Sequence, residues 1–280
     1  MNEAADIQES ETVETAGAKS HSDQRLVKHL VMFSGGVCSW ATAKRVVERH
    51  GTDGVVLLFA DTNMEDEDLY RFIDQAAENV GAPLVKIADG RTPWEVFEDE
   101  RLLGNSRYDP CSKHLKRKLL DRWQKKNCDK KSTMLHFGLD WTEQERLARL
   151  RARKVPWKVE GYMTEPPYME KPQMIEWLKR EGITPPRLYG MGFNHNNCGG
   201  FCIKSGQAQF ALLLRTMPER YKFHEENEER IRKILGWKQT ILRDRGGKSP
   251  LSLKQFRERI EAQGTFDAYD WGGCGCAVDA

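Results

Sequence analysis

The stretch His29–Val47, HLVMFSGGVCSWATAKRVV, decides the fold of this 280-residue chain. A short apolar run, LVMF, leads into a turn, SGGVCS, and apolar residues then recur at helical spacing. Strand, glycine-rich turn and helix together form an anion site, because glycines let the backbone approach a phosphate and the helix start supplies unpaired N–H groups. The candidate phosphate ligands are Ser34, Gly35, Gly36 and Ser39.

The lysine-bearing GxxxxGK[ST] pattern of the P-loop is absent from this turn. Ser34-Gly35-Gly36 followed by Ser39 resembles instead the PP-loop of ATP pyrophosphatases and of the related 3'-phosphoadenylylsulfate (PAPS) reductase family. The resemblance implies a doubly wound sheet that binds an adenine nucleotide, as ATP with Mg²⁺. On this stretch alone, a glycine turn in another α/β protein is the alternative. We also expect a β-branched residue at Gly36 to strain the backbone.

A second apolar run, residues 54–60, ends in Asp61 and Thr62. Continuous hydrophobicity is typical of a strand buried on both faces of a parallel sheet. Ligands of such sheets bind at the carboxyl ends of the strands, so we expect both residues beside the glycine turn. In the resembled family an Asp-Thr pair at this place contacts the nucleotide region. An N-cap for the helical segment 65–80 is a second role open to these side chains.

Further apolar runs at 83–87 and 132–138 predict two more strands, separated by helical patterns. We therefore predict a doubly wound α/β domain over residues 26–205, with a helical, cysteine-bearing C-terminal extension over 206–280. The segment 156–172 contains four Pro, one Gly and three aromatic residues, which predicts an irregular crossing. Residues 1–25 contain no aromatic residue and many Glu, Ala, Ser and Thr, which predicts a disordered tail.

The segment that begins at Asp109 predicts a strongly basic helix. Residues 113–131 include nine Lys or Arg and two Asp. Such a run forms a solvated face, a phosphate-binding helix or a nucleic-acid footprint. Its start, Cys111-Ser-x-x-Leu-Lys116, resembles the family segment in which a cysteine precedes a helix carrying a nucleotide-facing Lys or Arg. The resemblance implies that Lys116 is an anion ligand.

The sequence LDWTEQER, residues 139–146, follows the fourth predicted strand. Glu143 and Arg146 are three residues apart, so on a helix they share a face, where they pair or jointly contact a substrate. The resembled family has a strand, a Gly, an acid and an Arg in this order. The resemblance implies catalytic roles for both residues, together with Asp61 and Lys116, while a surface ion pair is the alternative. Residues 149–154 extend the basic character.

Later motifs keep the order of the resembled family: a Trp-containing helix at 173–182, then a proline, Leu188-Tyr189, a glycine and two cysteines. Five motifs in this order make residues 29–205 similar to the PAPS reductase family. The resemblance covers about two thirds of the chain.

The chain has seven cysteines and no export signal, which predicts a reducing, cytoplasmic compartment where metal or thiol chemistry is commoner than disulfides. Thiolates on glycine turns are ligands for soft metals. Relatives with a [4Fe-4S] cluster draw ligands from a cysteine before a basic helix and from a later pair. The resemblance implies cluster ligands at Cys111, Cys198 and Cys202, with a fourth from Cys274 or Cys276.

The first cluster position departs from the family pattern. Cluster-bearing sulfonucleotide reductases have two adjacent cysteines there, whereas Ser112 follows Cys111 in this chain. Structural zinc and free or redox thiols therefore stay open beside the cluster.

Three functions compete on this sequence. The first is an ATP-consuming enzyme that adenylylates an acceptor, releases pyrophosphate and lets sulfur displace AMP, as in the resembled tRNA thiolases and the ATP pyrophosphatase of DNA phosphorothioation. The second is a sulfonucleotide reductase, disfavoured because the glycine turn is intact and the Glu-Cys-Gly-Leu-His motif is missing. The third is a non-catalytic nucleotide sensor or nucleic-acid-binding module. We favour the first, with an adenine nucleotide, a nucleic-acid acceptor and a sulfur donor protein as partners.

The sequence contains no apolar run of about 18 residues, so no membrane helix is expected. It does not set the oligomeric state.

Overall fold

The computed structural model describes residues 26–244 and 249–263. Its centre is a five-stranded parallel sheet in the order β3-β2-β1-β4-β5. The strands are β1 (His29–Met32), β2 (Val55–Asp61), β3 (Leu84–Ala88), β4 (Met134–Phe137) and β5 (Lys158–Glu160). The predicted doubly wound α/β architecture is confirmed.

The strand order reverses between β1 and β4. From β1 the chain moves outward to β2 and β3, and it then crosses to the other side to form β4 and β5. The register pairs His29 with Val55 on one side and with Met134 on the other, so the carboxyl ends of β1, β2 and β4 lie side by side. Ligands of doubly wound sheets bind at such a reversal point.

Helices cover both faces and the carboxyl edge of the sheet. The helices are α1 (Val37–His50), α2 (Glu67–Val80), α3 (Pro93–Asp99), α4 (Pro110–Ser112), α5 (Leu119–Asn127), α6 (Gln144–Lys154), α7 (Lys171–Arg180), α8 (Arg187–Gly190), α9 (Gln207–Thr216), α10 (Pro218–Ile234) and α11 (Leu253–Gln263). A π-helical turn, Lys113–Lys118, joins α4 to α5. We call the continuous unit 110–127 the basic helix.

Alternate strand residues serve the two faces of the sheet, as the pleat of a strand requires. Val31 and Leu57 pack with α1, α2 and α7 on one face. Leu30 and Leu58 pack with α5 and α6 on the other. Both faces of the sheet are therefore buried under helices, which explains the continuous apolar runs of the inner strands.

A third apolar cluster joins the C-terminal helices to the carboxyl edge of the sheet domain. It contains Trp94 and Leu115 from the first half of the chain together with Phe210, Tyr221 and Phe256 from α9, α10 and α11. The described part of the extension is helical, as predicted, and it shares one core with the sheet domain. A two-stranded antiparallel pair, β6 (Leu242–Arg243) and β7 (Pro250–Leu251), lies before α11.

The crossing at 156–172 is more regular than the sequence indicates, because it contains β5 and a 3₁₀ turn, Tyr162–Thr164. The predicted tail, 1–25, and the cysteines at 274 and 276 lie outside the described residues. None of the helices in the described part of the chain combines the length and the apolar composition that a membrane-spanning helix needs.

Candidate active site

The turn after β1 contains two glycines in different conformations. Gly35 has φ of 75°, and a Cβ there would lie 2.6 Å from Leu69 Cδ1, so both its backbone and its packing require glycine. Gly36 has φ of −90°, which any residue adopts, and a Cβ there would meet only the hydroxyls of Tyr189 and Ser34, at 3.5 and 3.7 Å. The prediction of backbone strain at Gly36 is therefore wrong, and the position where a side chain would be strained is Gly35.

Helix α1 begins at this turn without a side-chain cap. Its N-cap is Gly36, and no acidic residue occupies its first turn. The neighbouring α2 is capped instead by the Asp66 carboxylate and has two acids in its first turn. Because the start of α1 is not neutralised by its own side chains, it keeps the positive end of its dipole for an anion.

The Ser39 hydroxyl is hydrogen-bonded within the turn. The side chain is buried, and its hydroxyl donates to the Gly36 carbonyl at 2.7 Å. The predicted hydroxyl donor is thus used inside the turn, whereas Ser34, which directly precedes the glycines, is exposed. Of the two serines in the motif, Ser34 is the one whose side chain reaches solvent.

The segment 187–198 crosses over the glycine turn. The Val37 N–H donates to the Tyr189 hydroxyl at 3.2 Å, so a phenol oxygen lies at the start of α1. The Asn196 amide donates to the Gly35 carbonyl at 3.2 Å, and its own oxygen is buried without a hydrogen-bond partner. The sequence offered Tyr189 only as part of a motif, and it gave no sign of Asn196.

The loop after β4 lies against the same helix start. A Cβ on Gly138 would lie 2.8 Å from the Ser39 backbone. Burial raises the pKa of the Cys38 thiol, and the nearby carboxylates of Asp140 and Glu143 raise it further. Glu143 pairs with Arg146 and, with Asp140, forms a capping box. The sheet reversal therefore places the predicted Glu143–Arg146 pair near the glycine turn.

Asp61 and Thr62, at the carboxyl end of β2, have separate environments. Asp61 Oδ1 accepts hydrogen bonds from the Asn63 N–H at 2.8 Å and from the Tyr70 hydroxyl at 2.9 Å. Thr62 is buried and faces a pocket described below. Neither caps the next helix, because the N-cap of α2 is Asp66, which corrects the alternative role given to Asp61 and Thr62.

Three predicted metal ligands share one pocket, which we call the thiol pocket. Cys111 enters it from the start of the basic helix, and Cys198 and Cys202 enter it from the turn that precedes α9. All three are buried. The rest of its lining is Thr62, Pro93, Asp109, Ser112, Lys116, Phe201, Ile203 and Lys204.

The thiol pocket does not by itself make up a metal site. Across residues 26–244 and 249–263, no group of three or more His, Cys, Asp or Glu side chains is placed to hold a metal ion. No disulfide joins the described cysteines to one another. Cys274 and Cys276, the expected sources of a fourth ligand, lie outside the described residues.

One buried carboxylate that we did not predict connects the parts of this region. Glu65 Oε1 accepts from the Thr62 hydroxyl at 3.0 Å and lies 3.4 Å from the Lys116 ammonium. Glu65 Oε2 accepts from the Cys198 N–H at 2.6 Å. The end of β2, the basic helix and the cysteine turn thus meet at one side chain. The sequence indicates only one of these contacts, through the three-residue spacing of Thr62 and Glu65.

The cysteine turn has an unusual backbone. Cys198 and Gly199 have φ of 50° and 58°, and Gly200 has φ of 88°. Arg220 packs over Gly199 so closely that a side chain there would overlap its guanidinium. Arg220 also donates to Asp66 and to the Glu65 carbonyl, at 3.0 and 3.1 Å. Left-handed backbone at a non-glycine residue costs free energy, which these contacts offset.

The Asp109 carboxylate, in the lining of the thiol pocket, forms ion pairs with two cationic side chains. Arg117 forms two hydrogen bonds to its carboxylate, both at 3.0 Å, and the Lys204 ammonium lies 3.4 Å away. The sequence offered Asp109 only as the start of the basic helix. The pocket therefore combines three thiols with two lysines and a carboxylate.

A second cavity lies between the basic helix and α6, and we call it the basic groove. It has a volume of about 240 Å³ and opens beside the carboxyl ends of β1 and β4. Its lining is Met32, Lys113, Arg117, Lys118, Leu120, Asp121, Phe137, Arg153 and Lys154. The two basic segments that the sequence singled out thus meet in one groove, where Asp121 pairs with Lys154.

Comparisons with known proteins add little to this geometry. No protein-family model matches the sequence, and no curated protein matches it. Among solved structures that match, the phosphate complex of phosphoadenylyl-sulfate (PAPS) reductase from Candida auris is similar over 59% of this chain and 78% of that chain, with a TM-score of 0.43 and 13% identity. A similarity of this size assigns no substrate or reaction to this chain.

Proposed function

We propose that this protein is an enzyme that binds ATP at the glycine turn, transfers its adenylyl group to an acceptor and supports sulfur transfer at the thiol pocket. One observation carries the proposal. Thr62, at the carboxyl end of the strand next to β1, lines the same pocket as Lys116 and three buried cysteines. The strand ends that bind nucleotides in doubly wound sheets therefore open directly onto thiols.

In the binding step, the phosphates of ATP take the start of α1. The Val37 N–H exchanges its hydrogen bond to Tyr189 for one to a phosphate oxygen, and the exposed Ser34 hydroxyl adds a second donor. The Asp61 carboxylate is an oxygen donor of the kind that Mg²⁺ prefers. When bound, Mg²⁺ would supply charge neutralisation on the phosphates.

In the adenylyl step, an acceptor oxygen attacks the α-phosphorus, the bond from that phosphorus to the bridging oxygen of the β-phosphate breaks, and pyrophosphate leaves. Lys116 and Arg146 offset the negative charge that develops on the phosphorus oxygens. Glu143 holds Arg146 through their ion pair, which fixes the direction of the guanidinium. The acceptor then carries AMP as a leaving group.

In the sulfur step, a donor protein's persulfide gives its outer sulfur to one pocket thiol, and the cysteine persulfide formed there attacks the activated acceptor atom. The new bond to sulfur forms as the bond to oxygen breaks, and AMP leaves with the electron pair. Cys111, Cys198 and Cys202 supply both the thiol that receives the sulfur and a second thiol, which attacks the cysteine sulfur of the resulting mixed disulfide and releases the thiolated acceptor. The disulfide left between the two cysteines is reduced by an external thiol. Lys116 and Lys204 favour the anionic form of sulfur beside them.

The acceptor that we propose is nucleic acid. The basic groove brings five cationic side chains, listed above, to the same edge of the sheet as the glycine turn. Phosphate backbones bind to such surfaces through counterion release. A small-molecule acceptor would not need a groove of this charge.

A sulfonucleotide reductase is the second candidate, because a thiol pocket beside lysines would also suit thiol attack on the sulfur of PAPS or adenylylsulfate (APS). Pyrophosphate and sulfite assays distinguish the two. We expect ATP-dependent pyrophosphate release when tRNA or DNA is present, and no thiol-dependent sulfite from PAPS or APS. Sulfite release without pyrophosphate release would establish the reductase. If neither product forms although ATP binds, a nucleotide sensor or nucleic-acid-binding module is the better account.

The iron–sulfur cluster stays a prediction that depends on Cys274 or Cys276. Iron, zinc and acid-labile sulfide in protein purified without oxygen test it. Iron with matching sulfide would support the cluster. Stoichiometric zinc without iron would favour the structural metal, and the absence of both metals would leave the cysteines as thiols.

A further inference from the structure

We propose that Glu65 is a positioning residue that holds the Cys198 turn and the Lys116 ammonium against one another, so that thiol and cation face the same pocket. The inference rests on the proposed function for its catalytic consequence, but its structural part stands on geometry alone. Glu65 is not among the residues that line the thiol pocket, and it therefore acts through the residues that do.

The first support is the burial of the carboxylate. The Glu65 side chain is 2% exposed and the Lys116 side chain 10% exposed. A buried carboxylate is costly unless donors surround it, and here three donors, from Thr62, Lys116 and Cys198, converge on its two oxygens. The side chain is thus fixed on both sides and cannot shift without breaking a contact.

The second support is the backbone that Glu65 holds. The Cys198 N–H donates to Glu65 Oε2, and Cys198 and the following Gly199 both adopt left-handed conformations. Cys198 has a Cβ, so this conformation is unfavourable unless a contact over-determines it. The short hydrogen bond to Glu65 is such a contact, and it sets the direction in which the Cys198 side chain leaves the backbone.

Two substitutions of Glu65 remove different numbers of these contacts. Glu65→Gln keeps the shape and one acceptor oxygen, so it can hold either the Cys198 N–H or the Thr62 and Lys116 side, but not both. Glu65→Ala removes every contact. The matched control is Glu67→Gln, an exposed acid in the first turn of α2.

The experiment measures how fast each cysteine of the purified full chain reacts with N-ethylmaleimide, by peptide mass spectrometry. We expect Cys198 to react at least fivefold faster in Glu65→Ala and by an intermediate factor in Glu65→Gln. Cys128, distant in sequence and half-buried, serves as the internal reference and should not change, nor should any cysteine in Glu67→Gln. A global loss of structure in Glu65→Ala would also increase the reaction rate of Cys128, which identifies a general effect. In that case the Cys198 rate in Glu65→Gln tests the positioning role.

The second readout is the split between KM and kcat for ATP-dependent pyrophosphate release. Glu65→Gln leaves the glycine turn intact, so KM for ATP should stay within twofold while kcat falls at least tenfold. Unchanged Cys198 reactivity in Glu65→Ala would overturn the positioning role. Accelerated Cys198 with no ATP-dependent activity in the wild type would instead uphold the positioning role and reject the proposed function.

Discussion

Gly35 lies in the left-handed region and packs on Leu69, whereas its neighbour Gly36 has ordinary backbone angles beside two hydroxyls. The first glycine is therefore required by the fold, and the second keeps space open at the start of α1. Glycine is thus needed at the two adjacent positions for different physical reasons, and the sequence alone does not distinguish them.

Alanine substitutions at the two glycines should separate these reasons. Gly35→Ala forces a side chain into the left-handed region and against Leu69, so we expect the free energy of unfolding to fall by about 2–4 kcal/mol. Gly36→Ala should change it by only about 0.5 kcal/mol. Urea denaturation of both variants measures the difference, and equal effects would show that the turn is held differently.

Glu65 shows why the candidate site was only partly predictable at the scale of single residues. Ser34, Asp61 and Lys116 occur in recognisable motifs, so the sequence names them. Glu65 contributes through contacts with residues 51 and 133 positions away, Lys116 and Cys198, and no local pattern records such contacts. Sequence patterns identify the ends of strands and helices, but not the side chains that join them across the fold.

At the scale of elements, apolar runs predicted four of the five strands. Strand β5 was missed because it is only three residues long, and Val159 is its single apolar residue. It pairs in parallel with β4, so pairing with a neighbour defines β5 rather than its own pattern. The π-helical turn in the basic helix was likewise invisible, because its residues have the same helical character as those around it.

The basic groove gives a prediction about the basic helix. Lys113 and Lys118 line the groove and are exposed, so replacing both with Glu should remove about two phosphate contacts. The slope of log affinity against log salt for single-stranded nucleic acid should then become shallower by roughly 1–2. Fluorescence anisotropy across salt concentrations measures this slope. Lys233→Glu, on α10, is the control, and an effect of that variant as large as the double substitution would contradict a groove-specific site.

Glu228 gives a pH-dependent prediction for the C-terminal helices. It is buried on α10 and accepts from the Ile241 and Leu253 N–H groups at 2.9 and 2.6 Å. Burial raises its pKa from 4.5 to about 7, against the lowering effect of those hydrogen bonds. The folded state therefore holds a proton that the unfolded state releases, and this contribution to stability is full below about pH 4.5 and is lost as the pH rises through 7.

The measurement compares the wild type with Glu228→Gln by urea denaturation between pH 5 and 8. We expect the stability of the wild type relative to the variant to fall as the pH rises, with each unit of pKa difference worth about 1.4 kcal/mol. A difference that is constant with pH would show that Glu228 does not titrate in this window.

At the scale of the whole molecule, the extension and the sheet domain share an apolar cluster that includes the thiol pocket. Phe210 of α9 packs edge-on against Phe201, with ring centroids 5.6 Å apart. Phe201 lies between Cys198 and Cys202 in the sequence and lines the thiol pocket with them. The boundary predicted near residue 205 follows from the extent of the family resemblance and from the helical periodicity that comes after it. The packing across that boundary follows from the tertiary fold, which those patterns do not contain.

Phe210→Ala should therefore affect more than the extension. We expect the free energy of unfolding to fall by about 3–5 kcal/mol, because a buried aromatic ring leaves a cavity. Tryptophan fluorescence and circular dichroism should report one coincident transition. Two separate transitions would show that the extension unfolds on its own.

An ATP site at the glycine turn is tested by calorimetric titration of ATP with Mg²⁺ into the wild type and Gly36→Val. The valine methyl groups fill the space beside the Ser34 and Tyr189 hydroxyls without forcing a left-handed backbone. We expect the wild type to bind ATP and the folded variant to bind it at least tenfold more weakly. Equal affinities, or a wild type that binds no ATP, would contradict an ATP site at this turn.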